Sequence, residues 1–342
     1  MRVHVTPVES FAALGAEWRA LEARLPGHFF FQGWSWMGCL ADERFPDPVL
    51  LRAESDGRTL GLGLFNRRAG RLHLAESGSA ALDAPFIEHN APLGTPEAVA
   101  AILRTAWTVP GARRLVLSGV PPAVVDAAGG IALRVQERLA PWLDLDAVRA
   151  RGGDPFTVFS ANTRQQIRRS DRAYAARGPL HLHVAATEEE ALACFEAMLP
   201  LHARTWEARG KPGAFANPWM PRFHRELIKR AFPRGEALLL RVTAGGGDVG
   251  VLYNFRHAGR IHAYQSGLDH AGAARHEKPG LTSHALAIRH ALACGDGVYD
   301  FLGGADRYKL SLSTGTVPLL WAEMVRPWSL PGLVARLRAL VR

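Results

Sequence analysis

His276, Glu277, Lys278, Pro279, Gly280 and Leu281 stand where a polar loop gives way to an apolar run, Thr282 to Cys294, with helical spacing. At a helix start the first backbone N–H groups lack partners within the helix, and the helix dipole adds partial positive charge. With His276 and Lys278 beside it, this loop reads as a seat for a phosphate or other anion, formed by His276, Lys278, Gly280, Leu281 and Thr282. A second group lies beyond the short apolar run 297–302: Asp306, Tyr308 and Lys309, a carboxylate, a phenol and an ammonium. Such side chains can accept a proton, donate one and hold a negative charge. Asp300 within the run, and His262 and His276 upstream, complete the set of candidate proton-transfer groups.

These residues need elements to hold them. From Leu238 to Thr314 the chain reads strand, turn, strand, loop, helix, strand, polar loop. The strand pair has a copy: residues 50–78 align with 239–267 at an offset of 189, without a gap, with 12 identities in 29 positions. Unrelated segments would share about two or three at ordinary residue frequencies. The first turn of each copy is Asp56-Gly57 or Gly245-Gly246-Gly247, and the second is Ala69-Gly70 or Ala258-Gly259. The parallel extends outward. Strand and helix 3–23 correspond to 182–204, helix 96–107 to the helix after Pro279, and strand 114–118 to 298–302.

The copies differ chemically. Where the second has Arg275-His276-Glu277-Lys278, the first has Glu88-His89-Asn90-Ala91, and its later strand ends in Val120-Pro121-Pro122. The second copy is therefore expected to carry the chemistry and the first to act mainly as scaffold. Between them, 134–154 reads as a linker, most clearly over 147–154. Ser160 to Thr163 then offer capping oxygens to a helix ending near Ala176, on which Arg164, Arg168 and Arg172 recur every four residues. That stripe is either a solvated face or a clamp for phosphate or carboxylate. Trp206, Lys211 and Trp219 lie in a Gly/Pro-broken stretch, 208–221, either a cover over a cleft or an ordinary surface excursion. Phe29 to Trp36 is an aromatic cluster expected in the core. Ser329 to Arg342 has Leu330, Leu333, Val334, Leu337, Leu340 and Val341 on one side of a helix and Arg336, Arg338 and Arg342 mostly on the other. Docking on the body of the protein is expected ahead of peripheral membrane contact.

Composition sets outer limits. The 342 residues are 48% hydrophobic with a formal charge of +9, enough for two cores and suited to anionic partners such as CoA phosphates, nucleotide-linked sugars, tRNA or an acidic membrane. Three cysteines without paired spacing, Cys39, Cys194 and Cys294, give neither a zinc pattern nor a disulfide framework, so no metal is expected. The amino terminus lacks the apolar core of a signal peptide and no transmembrane run is present, which together predict a cytoplasmic protein. Nucleophile-elbow, His-Glu-x-x-His and Walker motifs are absent from the sequence.

Pro279-Gly280 before a helix, the strand bearing Tyr299-Asp300-Phe301, and the Gly-x-x-x-Tyr-Lys ending at Tyr308-Lys309 resemble the acyltransferase domain of the CelD/BcsL family. That family belongs to the GNAT superfamily and is related to the Fem-type aminoacyl transferases. Ser160-x-Asn162-x-Arg164-x-x-x-Arg168-Arg169 resembles the segment that precedes the domain. The resemblance is best over 156–315. It implies an α/β (mixed α+β) fold of tandem GNAT-like domains, each a mostly antiparallel mixed sheet flanked by helices: 1–150 without catalysis, 151–328 catalytic, then the helix 329–342. It also implies an N-acyltransferase in polysaccharide or envelope metabolism, with a small-molecule amine or amino sugar as acceptor. Acetyl-CoA or another acyl-CoA is one expected donor and aminoacyl-tRNA the other, because the usual pyrophosphate loop has several glycines and here only Gly280 remains. By position in the family, Tyr264 to Leu268 would supply oxyanion N–H groups, with Gln265, Trp206, Arg164 and Arg168 at the substrate. A non-catalytic pair that binds an anionic ligand is the competing expectation.

Overall fold

A computed structural model describes every residue except 84–86, 305 and 341–342. The chain forms two compact units, one of residues 1–138 with 318–342 and the other of 139–317.

In the first unit β1 (Arg2–Pro7) leads to α1 (Phe11–Glu22) and two single-turn helices, α2 (Trp34–Met37) and α3 (Ala41–Arg44). An antiparallel meander follows: β2 (Pro48–Ser55), β3 (Arg58–Arg68) and β4 (Arg71–Leu74). After α4 (Ala80–Asp83) and the two-residue β5 (Leu93–Gly94), helix α5 (Pro96–Ala106) crosses to β6 (Arg114–Val120), which is parallel to β4. Next come α6 (Pro122–Ala128) and β7 (Ile131–Asp144), which runs on into the second unit and its α7 (Leu145–Ala150).

The second unit repeats this path. After α8 (Ala161–Ala175) come β8 (Leu180–Val184), α9 (Glu188–Glu207), α10 (Trp219–Ala231), β9 (Ala237–Ala244), β10 (Gly247–His257), β11 (Arg260–Leu268), α11 (Pro279–Ala293), β12 (Val298–Asp300) and α12 (Arg307–Ser311); most of β13 (Gly315–Val325) and all of α13 (Leu330–Leu340) belong to the first unit. The order across the sheet is β1-β2-β3-β4-β6-β13 in the first unit and β8-β9-β10-β11-β12-β7 in the second. β2 and β9 start and end at positions 189 apart, and so do β3 and β10. The turns match too: Asp56 and Gly57 have φ of 52° and 74°, Gly245 and Gly246 of 56° and 82°. Ala69 and Gly70 (49°, 72°) match Ala258 and Gly259 (47°, 71°). These left-handed pairs twist with the strands, which is why glycine recurs there. The fold class expected from the sequence, a mixed sheet flanked by helices in each of two related units, is the one observed.

Two expectations need correction. The segment 134–150 is strand and helix, not linker: Ile131, Leu133 and Val135 recur with the period of a strand, with the small Ala132 and the charged Arg134 between them, and Trp142 to Asp144 pair antiparallel with β12. In the same way Leu320 to Val325 of β13 pair with β6. Because β7 and β13 each cross a unit limit, the compact units end at 138/139 and 317/318, not at 150/151 and 328/329. The second correction concerns α13, whose Leu330, Leu333 and Val334 face solvent and do not dock. Leu337, Leu340, Val341, Arg336, Arg338 and Arg342 lie outside the described side chains. The aromatic cluster is core as expected, with Phe30, Phe31 and Trp36 buried.

Helices close on both faces of the second sheet at glycines. A Cβ at Gly250 would stand 2.7 Å from Ser283 Oγ of α11, and one at Gly267 would stand 2.8 Å from Leu201 Cβ of α9. Gly267→Ala should therefore cost about 2–3 kcal/mol by overpacking. Gly57→Ala, in open space but with left-handed backbone, should cost about 1 kcal/mol. Urea titration followed by circular dichroism gives both values, and equal losses would contradict the packing argument.

Candidate active site

Pro279 begins α11, where its fixed φ suits a first helical turn and its missing N–H costs nothing. No side chain caps this helix. Instead the Lys278 N–H donates to Ser170 Oγ of α8 at 2.8 Å, and Ser170 Oγ lies 2.8 Å from Thr282 Oγ1. Thr282 Oγ1 donates in turn to Asp171 at 2.9 Å. Thr282 has one hydroxyl proton, already directed to Asp171, so Ser170 must donate to Thr282, and the chain runs one way from amide to carboxylate. Burial raises the pKa of Asp171, against the pull of this bond and of Arg289. Thr282 is fully buried by the network and Leu281 packs into the core, while the Lys278 side chain is exposed. By helix geometry the N–H groups of Gly280 and Leu281 lack partners within the helix, and the Lys278 side chain beside them is exposed.

The loop before it is held by charge. Glu277, buried, pairs with Arg177 and accepts the Ala274 N–H at 2.6 Å. Arg169 meets His276 Nε2 at 2.6 Å. A guanidinium only donates, so that nitrogen must be the unprotonated one. Partial burial and the charges of Arg169, Arg275 and Lys278 hold His276 below the ordinary histidine pKa.

Beyond β12, Asp300 is fully buried, accepting from Arg260 at 3.0 Å and from the Leu302 N–H at 2.9 Å. Leu302 has φ of 59°, so this carboxylate holds the chain in a tight left-handed turn. Lys309 Nζ donates to the carbonyls of Phe301 at 2.7 Å and Gly303 at 3.1 Å, satisfying oxygens left by the end of the strand. His262 pairs with Asp300 across β11 and β12 and is fully buried. Asp300 and Lys309 thus shape the strand end, and His262 is buried beside it. Tyr308 and Asp306 remain for chemistry: Asp306 is exposed at the start of α12, and Tyr308 is half-buried. Burial first, and then the Asp306 charge, push the Tyr308 phenol above its ordinary pKa, with Arg209 acting in the opposite sense. At neutral pH it is a proton donor.

One residue that the sequence did not single out joins the two groups. His284, in the second turn of α11, is buried and stacks on Tyr308 with ring centres 5.5 Å apart and planes at 25°. Its Nδ1 lies 3.0 Å from the Tyr299 hydroxyl, and its Nε2 has no partner among the described residues. Burial, then Lys309, lower its pKa to about 3, so it stays neutral. His202 of α9 was missed as well. Ala214 N–H donates to its Nε2 at 3.2 Å and its Nδ1 lies 3.0 Å from Ser266 O, which ties the 208–218 loop to β11. Nothing local marks either histidine among the 14 in the chain; only their neighbours across the fold do.

Next to the helix mouth, Arg204, Arg209, Leu268, Asp269 and His270 line a cavity of about 310 Å³. Leu268 connects the two, since a Cβ at Gly280 would stand 3.3 Å from its Cδ1. Trp206 lies between Arg209 and Lys211, 5.4 and 6.0 Å from the ring. Gln265 is half-buried on β11, in register with Tyr253 at a bulge. Arg164 and Arg168 are elsewhere: Arg164 donates to Phe159 O at 2.8 Å and Arg168 stacks on Phe156 at 5.4 Å. With Gln165, Asp171 and Arg172 they line an open groove of about 730 Å³ on α8. Among the described residues no metal-ligand cluster is found.

Residues 161–310 match the family model described as an acetyltransferase (GNAT) domain. No curated protein matches the sequence. Among solved structures, FemX is 12% identical with a TM-score of 0.63, covering 98% of this chain and 99% of that one. The C-terminal domain (DUF2156) of a putative lysylphosphatidylglycerol synthetase from Agrobacterium fabrum is 15% identical, TM-score 0.57, covering 97% of each chain. L-PGS from Bacillus licheniformis is 14% identical, TM-score 0.55, covering 94% and 96%. At these identities the neighbours show a shared fold alone. The domain match over 161–310 supports an acyltransferase of the GNAT kind.

Both buried histidines make stability depend on pH. An unfolded histidine titrates near about 6.5, whereas burial depresses His202 and takes His284 to about 3. Below about pH 6.5 the unfolded chain therefore takes up protons that the folded chain refuses, and stability falls as pH drops. The melting temperature should fall between pH 7 and pH 5, and by less in His284→Gln. An identical fall in both proteins would show that His284 does not titrate as the burial demands.

Proposed function

We propose that the second unit transfers an acyl group from a phosphate-bearing carrier to an amine, as a GNAT-type N-acyltransferase. The observation that supports this reading most directly is the uncapped mouth of α11, joined through His284 to a protonated phenol at the end of β12. The amides of Gly280 and Leu281 and the Lys278 ammonium would hold a donor phosphate. The amine nitrogen attacks the acyl carbonyl carbon, and backbone N–H groups of β11 near Gln265 would receive the oxyanion. The carrier's thiolate or alkoxide then leaves as its bond to the acyl carbon breaks, and Tyr308 returns a proton to it. Asp306, exposed beside Tyr308, takes the proton that the amine loses.

Acyl-CoA is the donor we favour, because a helix mouth and one lysine suit a compact pyrophosphate. The smaller number of free amides, with Pro279 lacking an N–H and Lys278 N–H held by Ser170, predicts weaker donor binding than a glycine-rich loop would give. Aminoacyl-tRNA is the second reading, and the Arg164, Arg168 and Arg172 groove favours it, since an extended line of guanidinium groups fits a phosphate backbone. The acceptor class, a small-molecule amine or amino sugar, and a place in polysaccharide or envelope metabolism rest on the motif resemblance to the CelD/BcsL family. A cytoplasmic setting is part of the same proposal. No described helix is long and apolar enough to cross a membrane.

Purified protein mixed with acetyl-CoA and a panel of amines should release thiol. Tyr308→Phe should lower kcat about 100-fold with little change in KM. Lys278→Glu should raise KM for the donor about tenfold, the loss expected of one charge-assisted contact. Thiol release untouched by Tyr308→Phe would remove the phenol from the mechanism. No release from acetyl-CoA, with transfer from charged tRNA that is lost in Arg168→Glu, would establish the second reading.

A further inference from the structure

The first unit carries a site that acyl transfer does not use. The hairpin turn Ala69-Gly70, the start of β6 and the end of β13 enclose a cavity of about 410 Å³ lined by Arg71, Arg113, Arg114, Arg326 and Ser329, with no acidic side chain on its described wall. Arg71 and Arg114 both grip the Glu323 carboxylate, at 2.8 and 2.6 Å. Partial burial would raise the pKa of Glu323, but the two guanidinium groups outweigh it and keep the group ionised. One carboxylate thus orients two arginines, each with further N–H donors, while Arg113 lies across the face of Gly70 and Arg326 donates to Trp107 O. Four guanidinium groups converge where a single negative charge offsets them.

The same stretch of chain is apolar on its outer side. Trp328 is 78% exposed and Leu330 77%, with Leu333 and Val334 also open to solvent on the first turns of α13. Arg326, Ser329 and Pro331 line the cavity, whereas Trp328 and Leu330 are exposed, so cavity-lining residues and exposed apolar side chains alternate along one segment. A soluble anion would need the arginines and not the exposed tryptophan and leucines. An exposed apolar patch beside a basic cluster is the combination that holds a protein at a membrane interface, where tryptophan favours the headgroup level and arginine the anionic surface.

We propose that this face docks on an anionic phospholipid surface, with a headgroup phosphate in the arginine cavity and Trp328, Leu330, Leu333 and Val334 in the acyl-chain boundary. It gives a reaction carried out elsewhere in the chain a membrane address, and it holds whether or not the second unit is an acyltransferase.

The full chain is sedimented with vesicles of phosphatidylcholine alone and of phosphatidylcholine with phosphatidylglycerol, at low and at physiological salt. Association is expected with the anionic vesicles only, weakening with salt. Arg113→Glu, which reverses one charge at the surface, should lower partitioning about tenfold or more. Trp328→Ser with Leu330→Ser should lower it similarly, and circular dichroism should show both variants folded, since all three side chains are solvent-facing or at the cavity rim. Three results would overturn the proposal: no association with either vesicle, association that the apolar double variant leaves unchanged, or calorimetric binding of inorganic phosphate without vesicle association, which would make the cavity a site for a soluble anion.

Discussion

Everything in the second unit depends on how closely two helices approach one sheet. Gly250 and Gly267 sit on adjacent strands and point to opposite faces, and at each the absent side chain is replaced by a helix: α11 over Gly250, α9 over Gly267. Close approach puts the start of α11 beside the start of β10 and the end of β11, with no side chain capping it. It also brings His284 down onto Tyr299 and Tyr308, joining the helix to the strand end. Both glycines have counterparts in the first unit, Gly61 and Gly78. At Gly61 an added Cβ would meet Ala98 Cβ of α5 at 2.9 Å. The repeated identities are therefore mostly those that the packing of a helix on a sheet, and the left-handed turns, require.

The two units part company at the helix mouth. In the first, Thr95 caps α5 by accepting the Ala98 N–H, and the short β5 pairs with β3 beside it. That start is closed. The residues that follow its β4 are polar but inward: Glu76, wholly buried, accepts from Ser118 at 2.6 Å, and burial with the nearby Asp83 charge lifts its pKa to about 8. A neutral carboxylic acid bonded to a serine stabilises a core and leaves no anion seat. In the second unit the cap is replaced by the Ser170–Thr282–Asp171 chain, which secures the helix from behind and leaves its front amides free.

The positive charge of the chain has more than one use. Much of the arginine is committed to ion pairs within the fold, as with Arg52 and Glu17, Arg241 and Asp248, or Arg256 and Asp296. The partly exposed pairs Arg52–Glu17 and Arg241–Asp248 add little stability individually. The remainder gathers in places that the sequence shows only in part: the α8 groove, which reads plainly as a period of four, and the Arg71, Arg113, Arg114 and Arg326 cavity, whose members are far apart in the chain.

The sequence by itself determined the repeat, the class of fold, the hairpin turns, the start of α11 and the location of Asp306 and Tyr308 beyond a strand. All of these follow from local rules: alternation along a strand, glycine where φ is positive, proline at a first helical turn, an identity pattern at constant offset. Only the tertiary structure decided that Lys309, Asp300 and Thr282 hold backbone and helix in place, that His284 and His202 are buried against Tyr308 and the 208–218 loop, that 134–144 is a strand, and that Leu330 and Leu333 face solvent. Those facts depend on which partners lie across the sheet. An ammonium among carbonyls and one facing solvent look alike in a sequence, because a hydrogen bond is set by distance in space and a side-chain type fixes only what it could donate or accept.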